Sequence, residues 1–165
     1  MNIRLAHPAD LLRIVDIYNQ AIESKRSTAD LTPLQVEDRT AWFREHSPER
    51  YPIFVAEIDG GVAGWCSLSA YRPGRMALRF TAELSCYIDG AFRRRGIGRA
   101  LLHHAMAACP GLGIKNVFGI LLERNVASRR MMESLGFEKW GFLPRVSDFD
   151  GEESGHLYFG KRVPD

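Results

Sequence analysis

The chain predicts a mixed β-sheet flanked by helices, in the α/β (α+β) class, and three observations carry that expectation. Two strand-like runs, 53–58 and 62–68, flank Asp59-Gly60-Gly61, a tight antiparallel hairpin signal. Between residues 80 and 122, a strand-like run, an amphipathic segment and a second strand-like run follow one another, the order of a strand–helix–strand crossover. The 165 residues are 45% hydrophobic and 25% charged, enough to build one core without disulfide or metal staples. Residues 1–165 therefore read as a single domain.

Residues 2–6 alternate briefly and stop at His7-Pro8. Leu11, Leu12, Ile14, Val15, Ile17, Tyr18 and Ile22 then share one helical face, with Asp10 as the expected N-cap and an end near Ser24. Residues 25–33 are polar and read as a loop. A second helix covers 34–46 with Val36, Trp42 and Phe43 inward, and Ser47-Pro48 stops it. Residues 71–75 read as a loop, 80–88 as a strand ended by Asp89-Gly90, and 98–109 as a helix ended by Pro110-Gly111. Residues 117–122 form a buried-strand run. Asn125 caps a helix through Leu135, and Gly136 suits the left-handed residue that closes it. Residues 137–143 and 156–163 are the last strand candidates.

Composition narrows the function. Lys plus Arg is 22 and Asp plus Glu is 20, a net charge of +2, too balanced to imply nucleic acid. No apolar run approaches the ~20 residues of a membrane span, and no secretory signal is expected at the N-terminus. Cys66, Cys86 and Cys109 lack paired metal-ligand spacing, so reduced thiols in a cytoplasm are the expectation. His103-His104 diverge by about 100° on a helix and cannot chelate one metal together, and no zinc motif occurs. Cys86 lies in a strand without a flanking nucleophile motif, so the cysteines read as small buried hydrophobes. Trp42, Phe43, Phe54, Trp65 and Phe118 read as core.

The informative segment is Arg93-Arg94-Arg95-Gly96-Ile97-Gly98-Arg99, between a strand and a helix. Free helix-start amides, two glycines that permit close approach and four arginines suit a phosphate. The same residues suit a plain turn with a solvated basic face, and spacing alone leaves both open. A dinucleotide fingerprint needs a small residue where Leu101 stands, and a Walker-A ending is absent.

The segment Arg93-x-x-Gly96-x-Gly98 resembles the acyl-CoA signature of the GNAT superfamily of N-acetyltransferases. Residues Thr81 to Ile88, Asn125-Val126-Ala127-Ser128 and Leu135-Gly136-Phe137 extend the likeness. Ile17-Tyr18-Asn19 and Arg39-Thr40-Ala41-Trp42-Phe43 are similar to the phosphinothricin and methionine sulfoximine acetyltransferases within it. The resemblance implies a largely antiparallel sheet of six or seven strands, splayed near a cofactor cleft. It implies acetyl-CoA as acetyl donor, no metal, and direct transfer to the amine of a small amino-acid-like molecule. Homodimers are common among similar proteins, so a homodimer is an expectation too.

By the same resemblance, the backbone of Cys86, Tyr87 and Ile88 would hold the pantetheine arm, Arg93 to Arg99 the pyrophosphate, and Asn125 and Ser128 the cofactor's far side. Glu83 would be the general base, since an ammonium must lose a proton before it attacks. Tyr71, Arg72 and Arg79 would meet the substrate's oxyanion. Two departures stand out: Met132 occupies the position of a proton-donating Tyr, and His156 is displaced by two residues from the family's Trp-His-Asp. They leave a protein or peptide amine as an alternative acceptor, and a non-catalytic CoA-binding module as an alternative role.

Overall fold

The computed structural model describes residues 1–164. Seven strands form one sheet, in order β1 (Asn2–Leu5), β2 (Ile53–Ile58), β3 (Gly61–Ala70), β4 (Thr81–Ile88), β5 (Asn116–Leu122), β7 (Glu152–Arg162) and β6 (Glu138–Phe149). Helices α1 (Leu11–Ser24) and α2 (Val36–Glu45) contact each other. Helix α3 (Ile97–Ala108) packs against β2, β3 and β4, and α4 (Val126–Ser134) follows β5. Alternation along the strands explains the two-layer burial. Ile53, Val55 and Trp65 join Ile14, Ile17 and Ile22 of α1, whereas Phe54, Cys66, Leu68, Ala82 and Leu84 join Ile97, Leu101 and Ala105 of α3.

All pairings are antiparallel except β4–β5, which is parallel and short. It pairs Thr81 with Asn116, Ala82 with Val117 and Glu83 with Phe118, then ends. Both strands continue, β4 to Ile88 against β3 and β5 to Leu122 against β7. The sheet therefore forks at Glu83, and β4 beyond it has an unpaired side.

Asp59 and Gly60 both adopt positive φ, 51° and 79°, as a two-residue hairpin turn requires. Gly136 closes α4 at φ 77°, and the Asn125 side chain accepts the Ser128 N–H at 3.2 Å. Asp10 differs from expectation. It occupies a short turn before α1 and makes no side-chain cap on that helix; its carboxylate instead accepts from Arg4 and from the His7 N–H at 2.7 Å, closing a capping box on the short turn. Leu12 is 68% exposed, off the buried face of α1. The final hairpin is also longer than expected. Strand β6 runs on past Pro144 to Phe149, and Asp150-Gly151 turn it into β7.

Candidate active site at the fork of the sheet

Phosphate-cradle geometry occurs at the start of α3. Gly96 takes φ 77° and Arg94 φ 63°, so the chain turns tightly before the helix. The first main-chain bond there is Ala100 N–H to Gly96 O at 3.0 Å. Among the described residues, the N–H groups of 94–99 find no protein acceptor. Four exposed arginines, Arg93, Arg94, Arg95 and Arg99, belong to the same segment; Arg99 donates to Ser134 Oγ at 2.7 Å and Arg95 lies over the Phe92 ring at 5.2 Å. Donors and charge thus converge at the positive end of a helix of 12 residues. A Cβ on Gly98 would lie 3.1 Å from Met131 Sδ and 3.7 Å from Ile88, so this turn sits against α4 and the tip of β4.

The turn is held from beneath. Asp89, buried just past β4, accepts from Ala91 N–H at 2.7 Å, from Gln20 at 2.9 Å and from Arg13 at 2.5 Å. Gly90 N–H in turn donates to Gln20 Oε1 at 2.8 Å. Burial opposes ionisation of Asp89, but these donors prevail and hold its carboxyl below the usual range. In the sequence Asp89-Gly90 marks only a strand end, because the side chains of Arg13 and Gln20 that hold it lie about 70 residues away, beyond any local pattern.

On the α1–α2 face of the sheet, a cavity of about 320 Å³ opens beside the fork. Glu83, Ser85 and Tyr87 of β4 line it, opposite Ser69, Ser67 and Trp65 of β3. Ile120, Leu122 and His156 form its far wall, and Tyr18, Thr28, Arg39 and Trp42 its roof. Burial pushes the Glu83 carboxyl above its ordinary pKa, and no protein group donates a hydrogen bond to it among the described residues. Such a carboxylate is free to take a proton.

Two clamps position the roof. The Asn19 side chain accepts from Leu34 N–H at 2.8 Å and donates to Leu34 O at 2.9 Å, fixing the approach to α2. The Tyr18 hydroxyl meets Thr28 at 2.8 Å and Asp30 at 2.5 Å, drawing the polar loop over the cavity. Arg39 lies over the rings of Tyr18 at 4.5 Å and Trp42 at 4.9 Å. Its guanidinium has no carboxylate within 4.0 Å and donates no hydrogen bond among the described residues. Among the described residues, Arg39 is the one arginine or lysine in the cavity wall.

The other candidates are placed as follows. Arg72 and Arg79 are exposed and outside the cavity wall; Arg79 stacks on Phe80 at 4.1 Å and donates to Met76 O at 2.9 Å. A one-turn helix at 76–78 carries Arg79 away from Glu83 despite their closeness in sequence. Tyr71 packs edge-on against Phe118, 4.9 Å between centroids, and is likewise outside the wall. His156 does face the cavity, and burial holds its pKa down. Met132 is buried against Gly119, whose added Cβ would meet its methyl at 3.1 Å. Cys86 is partly buried with its thiol pushed up to about 12, and Cys109 to about 11, both by burial. Trp65 and Trp42, expected as core, do double duty as cavity wall. The sequence puts Tyr18 on the apolar face of α1 and gives Arg39 only within a family pattern; their meeting over the cavity is a long-range contact that no spacing shows.

Among the described residues, no cluster of three or more His, Cys, Asp or Glu could hold a metal ion, and no helix is long and apolar enough to cross a membrane. The model of the acetyltransferase (GNAT) family matches residues 13–137. YwnH of Bacillus subtilis (strain 168), whose name assigns it provisionally to the phosphinothricin acetyltransferases, is 41% identical over 99% of both chains. An L-methionine sulfoximine/L-methionine sulfone acetyltransferase of Salmonella typhimurium is 31% identical, covering 88% of this chain and 85% of its own. A GNAT phosphinothricin acetyltransferase from Sinorhizobium meliloti, solved with acetyl-CoA, superposes with a TM-score of 0.92 at 28% identity, over 98% of this chain and 88% of that one.

Proposed function

Because the chain belongs to the acetyltransferase (GNAT) family, we propose that it moves the acetyl group of acetyl-CoA onto the amine of a small amino-acid-like zwitterion, at the fork of its sheet. The observation that carries the substrate class is the pairing of charges in one cavity. Glu83 faces it as an anion and Arg39 as an unpaired cation. An α-amino acid, or its sulfoximine, sulfone or phosphinate analogue, presents the complementary ammonium and carboxylate.

The residues present fit the cofactor. The donors of 94–99, with Arg93, would hold the pyrophosphate, and the unpaired side of Cys86, Tyr87 and Ile88 would pair with the amide-rich arm as an added strand does. Asn125 and Ser128, at the start of α4, would flank it. When bound, acetyl-CoA supplies an activated thioester carbonyl for the amine to attack. Glu83 removes the ammonium proton, and Arg39 fixes the carboxylate so that the amine faces the fork. Tyr71, Arg72 and Arg79 take no part in this reading. With Met132 buried, no side chain is assigned to protonate the leaving thiol.

The three free cysteines support a reducing, cytoplasmic setting. A homodimer through β6 belongs to the same reading. That strand is the sheet's edge and exposes Trp140, Phe142, Leu143 and Val146, an apolar strip that a second copy would cover. The whole chain acts as one catalytic domain. The test is thiol release from acetyl-CoA over a panel of methionine and glutamate analogues, their amides and decarboxylated amines, and lysine peptides. Turnover of the zwitterions well above their amides supports the proposal. Turnover of peptides alone would move the acceptor to a protein amine. Acetyl-CoA binding without any turnover would leave a binding module.

A further inference from the structure

We propose that Ser69 is the second hydrogen-bond acceptor for the substrate's amine, facing Glu83 across the sheet, and that His46 is a positioning residue that sets which way the Ser69 hydroxyl points. The inference deepens the acetyltransferase reading and rests on it, because it places the ammonium end of the zwitterion whose carboxylate Arg39 receives.

The polarity follows from one carbonyl. His46 stands just past the end of α2, and its Nδ1 lies 2.7 Å from Trp42 O, a last-turn carbonyl that the helix leaves free. A carbonyl only accepts, so Nδ1 carries the ring hydrogen. Burial leads the influences on the ring and outweighs the Trp42 and Leu68 carbonyls, which favour its charged form, so the ring is neutral at neutral pH. A neutral imidazole has one N–H. Its Nε2, 3.1 Å from Ser69 Oγ, is therefore an acceptor, and Ser69 donates to it. Both ring nitrogens stay occupied and His46 exchanges no proton. With its hydrogen committed, Ser69 offers the cavity lone pairs only, and no protein group donates to it among the described residues.

The position is that of the amine. Ser69 and Glu83 are directly paired in the β3–β4 ladder, and both line the catalytic cavity. Partners of this kind stand about 5 Å apart at Cβ, so the carboxylate and the hydroxyl oxygen both reach one nitrogen at ordinary hydrogen-bond length. Ser67 and Ser85 form the next rung of the same wall. No protein group fixes either hydroxyl among the described residues, so those two turn to donate or accept as a ligand requires. Of the wall serines on these strands, the one with a set polarity is the one beside the base.

An acceptor of fixed polarity suits the amine before and after it is deprotonated. It binds the ammonium through one N–H while Glu83 takes the proton from another. It then keeps its N–H and cannot donate to the nitrogen lone pair, which stays available for attack on the thioester carbonyl. A hydroxyl free to rotate would donate to that lone pair and oppose the attack. The same arrangement selects the substrate. An α-hydroxy acid brings one hydrogen to two acceptors and leaves one of them unmet, whereas an ammonium satisfies both.

The test uses the zwitterion that the parent turns over fastest and its des-amino analogue. Binding of each is measured by calorimetry in the presence of CoA, which has no acetyl group to transfer, and thiol release from acetyl-CoA gives kcat and KM. The variants are Ser69→Ala, Ser69→Thr, His46→Ala and the double variant Ser69→Ala/His46→Ala. Ser69→Ala should weaken the zwitterion about 10- to 100-fold, the loss of a bond to a charged donor, and leave the des-amino analogue nearly unchanged. Ser69→Thr, which keeps the hydroxyl, should recover most of that loss. His46→Ala should lower kcat in the parent and cost nothing further once Ser69 is absent. Parent-like zwitterion binding in Ser69→Ala would overturn the placement of the amine. Equal weakening of both ligands would reduce Ser69 to a support for the cavity's shape and overturn it too. Additive losses in the double variant would break the link from His46 to Ser69. Each of these leaves the acetyltransferase reading standing, whereas a parent chain without turnover on any amine would remove that reading first.

Discussion

Replacing Glu83 by Gln keeps the shape of the side chain and removes its capacity to take a proton. Glu83 stands at the vertex of the fork, lines the cavity and receives no hydrogen bond from the protein, so no neighbour shares its role as first acceptor. A positioned base contributes roughly 100- to 10,000-fold, so Glu83→Gln should raise the barrier by about 3 to 5 kcal/mol. The sign with pH follows from its raised pKa. Only the carboxylate accepts a proton, so the parent's rate falls as pH drops through a value above that of an ordinary glutamate. In Glu83→Gln that limb disappears, leaving a low rate that climbs with the free-amine fraction of the substrate. Stability should move the other way. A buried carboxylate whose folded pKa is raised costs stability once it is ionised, so the unfolding temperature of Glu83→Gln at pH 7 should hold or rise. The assay is thiol release across pH 5–9, with acetyl-CoA binding followed by calorimetry. A variant with the parent's rate and acid limb would refute the assignment of Glu83 as base.

Arg39→Gln should raise KM for zwitterionic substrates about 10- to 100-fold, the loss of a charge-assisted bond, while leaving KM for their amides nearly unchanged; equal losses on both would show that Arg39 only supports the roof. Gly96→Ala places a side chain at φ 77° and should cost about 1 kcal/mol of stability and weaken acetyl-CoA binding, read by thermal melts and calorimetry. Asp89→Asn loses bonds to a charged acceptor that tie Arg13, Gln20 and Ala91 together, and should cost about 2 kcal/mol. Because the folded pKa of Asp89 is depressed, its contribution is present above the unfolded value and lost as pH falls through the folded one. Melts from pH 2 to 7 should therefore show parent and Asp89→Asn converging at the acid end.

Much of the fold is legible in the sequence because its signals are local. Asp59-Gly60-Gly61, Asn125 and Gly136 each fix a backbone conformation within a few residues, and the structure has each in the role its chemistry implies. The arginine–glycine turn is legible for the same reason. The last hairpin is longer than its pattern predicts because Pro144 interrupts the strand alternation and the charged run from Asp148 to Glu153 masks it. The ladder bridges that stretch with an irregularity between Leu143 and Ser147, Arg145 taking φ 52°. Asp150-Gly151 was the available signal for the longer strands.

The site divides along the same line. Glu83 stands at the vertex of the fork and residues 94–99 at the start of α3, both inside motifs that the sequence displays, and the splayed sheet is what the resemblance alone suggested. The cation facing Glu83 across the cavity is not legible. Arg79 is four residues from Glu83 in sequence, yet a helical turn directs it to solvent, while Arg39 arrives from another helix over Tyr18 and Trp42. The His46–Ser69 contact joins residues 23 apart and shows no spacing signature. Sheet pairing and helix packing, not sequence proximity, decide which charges meet.

The most direct measurement is a calorimetric titration of the intact chain with acetyl-CoA. The unpartnered amides of residues 94–99 and the forked β4 edge predict saturable one-site binding with a dissociation constant below about 1 mM. It should weaken in Gly96→Ala and persist in Glu83→Gln. Absence of heat with acetyl-CoA and with CoA, in a folded sample, would contradict the account at its base.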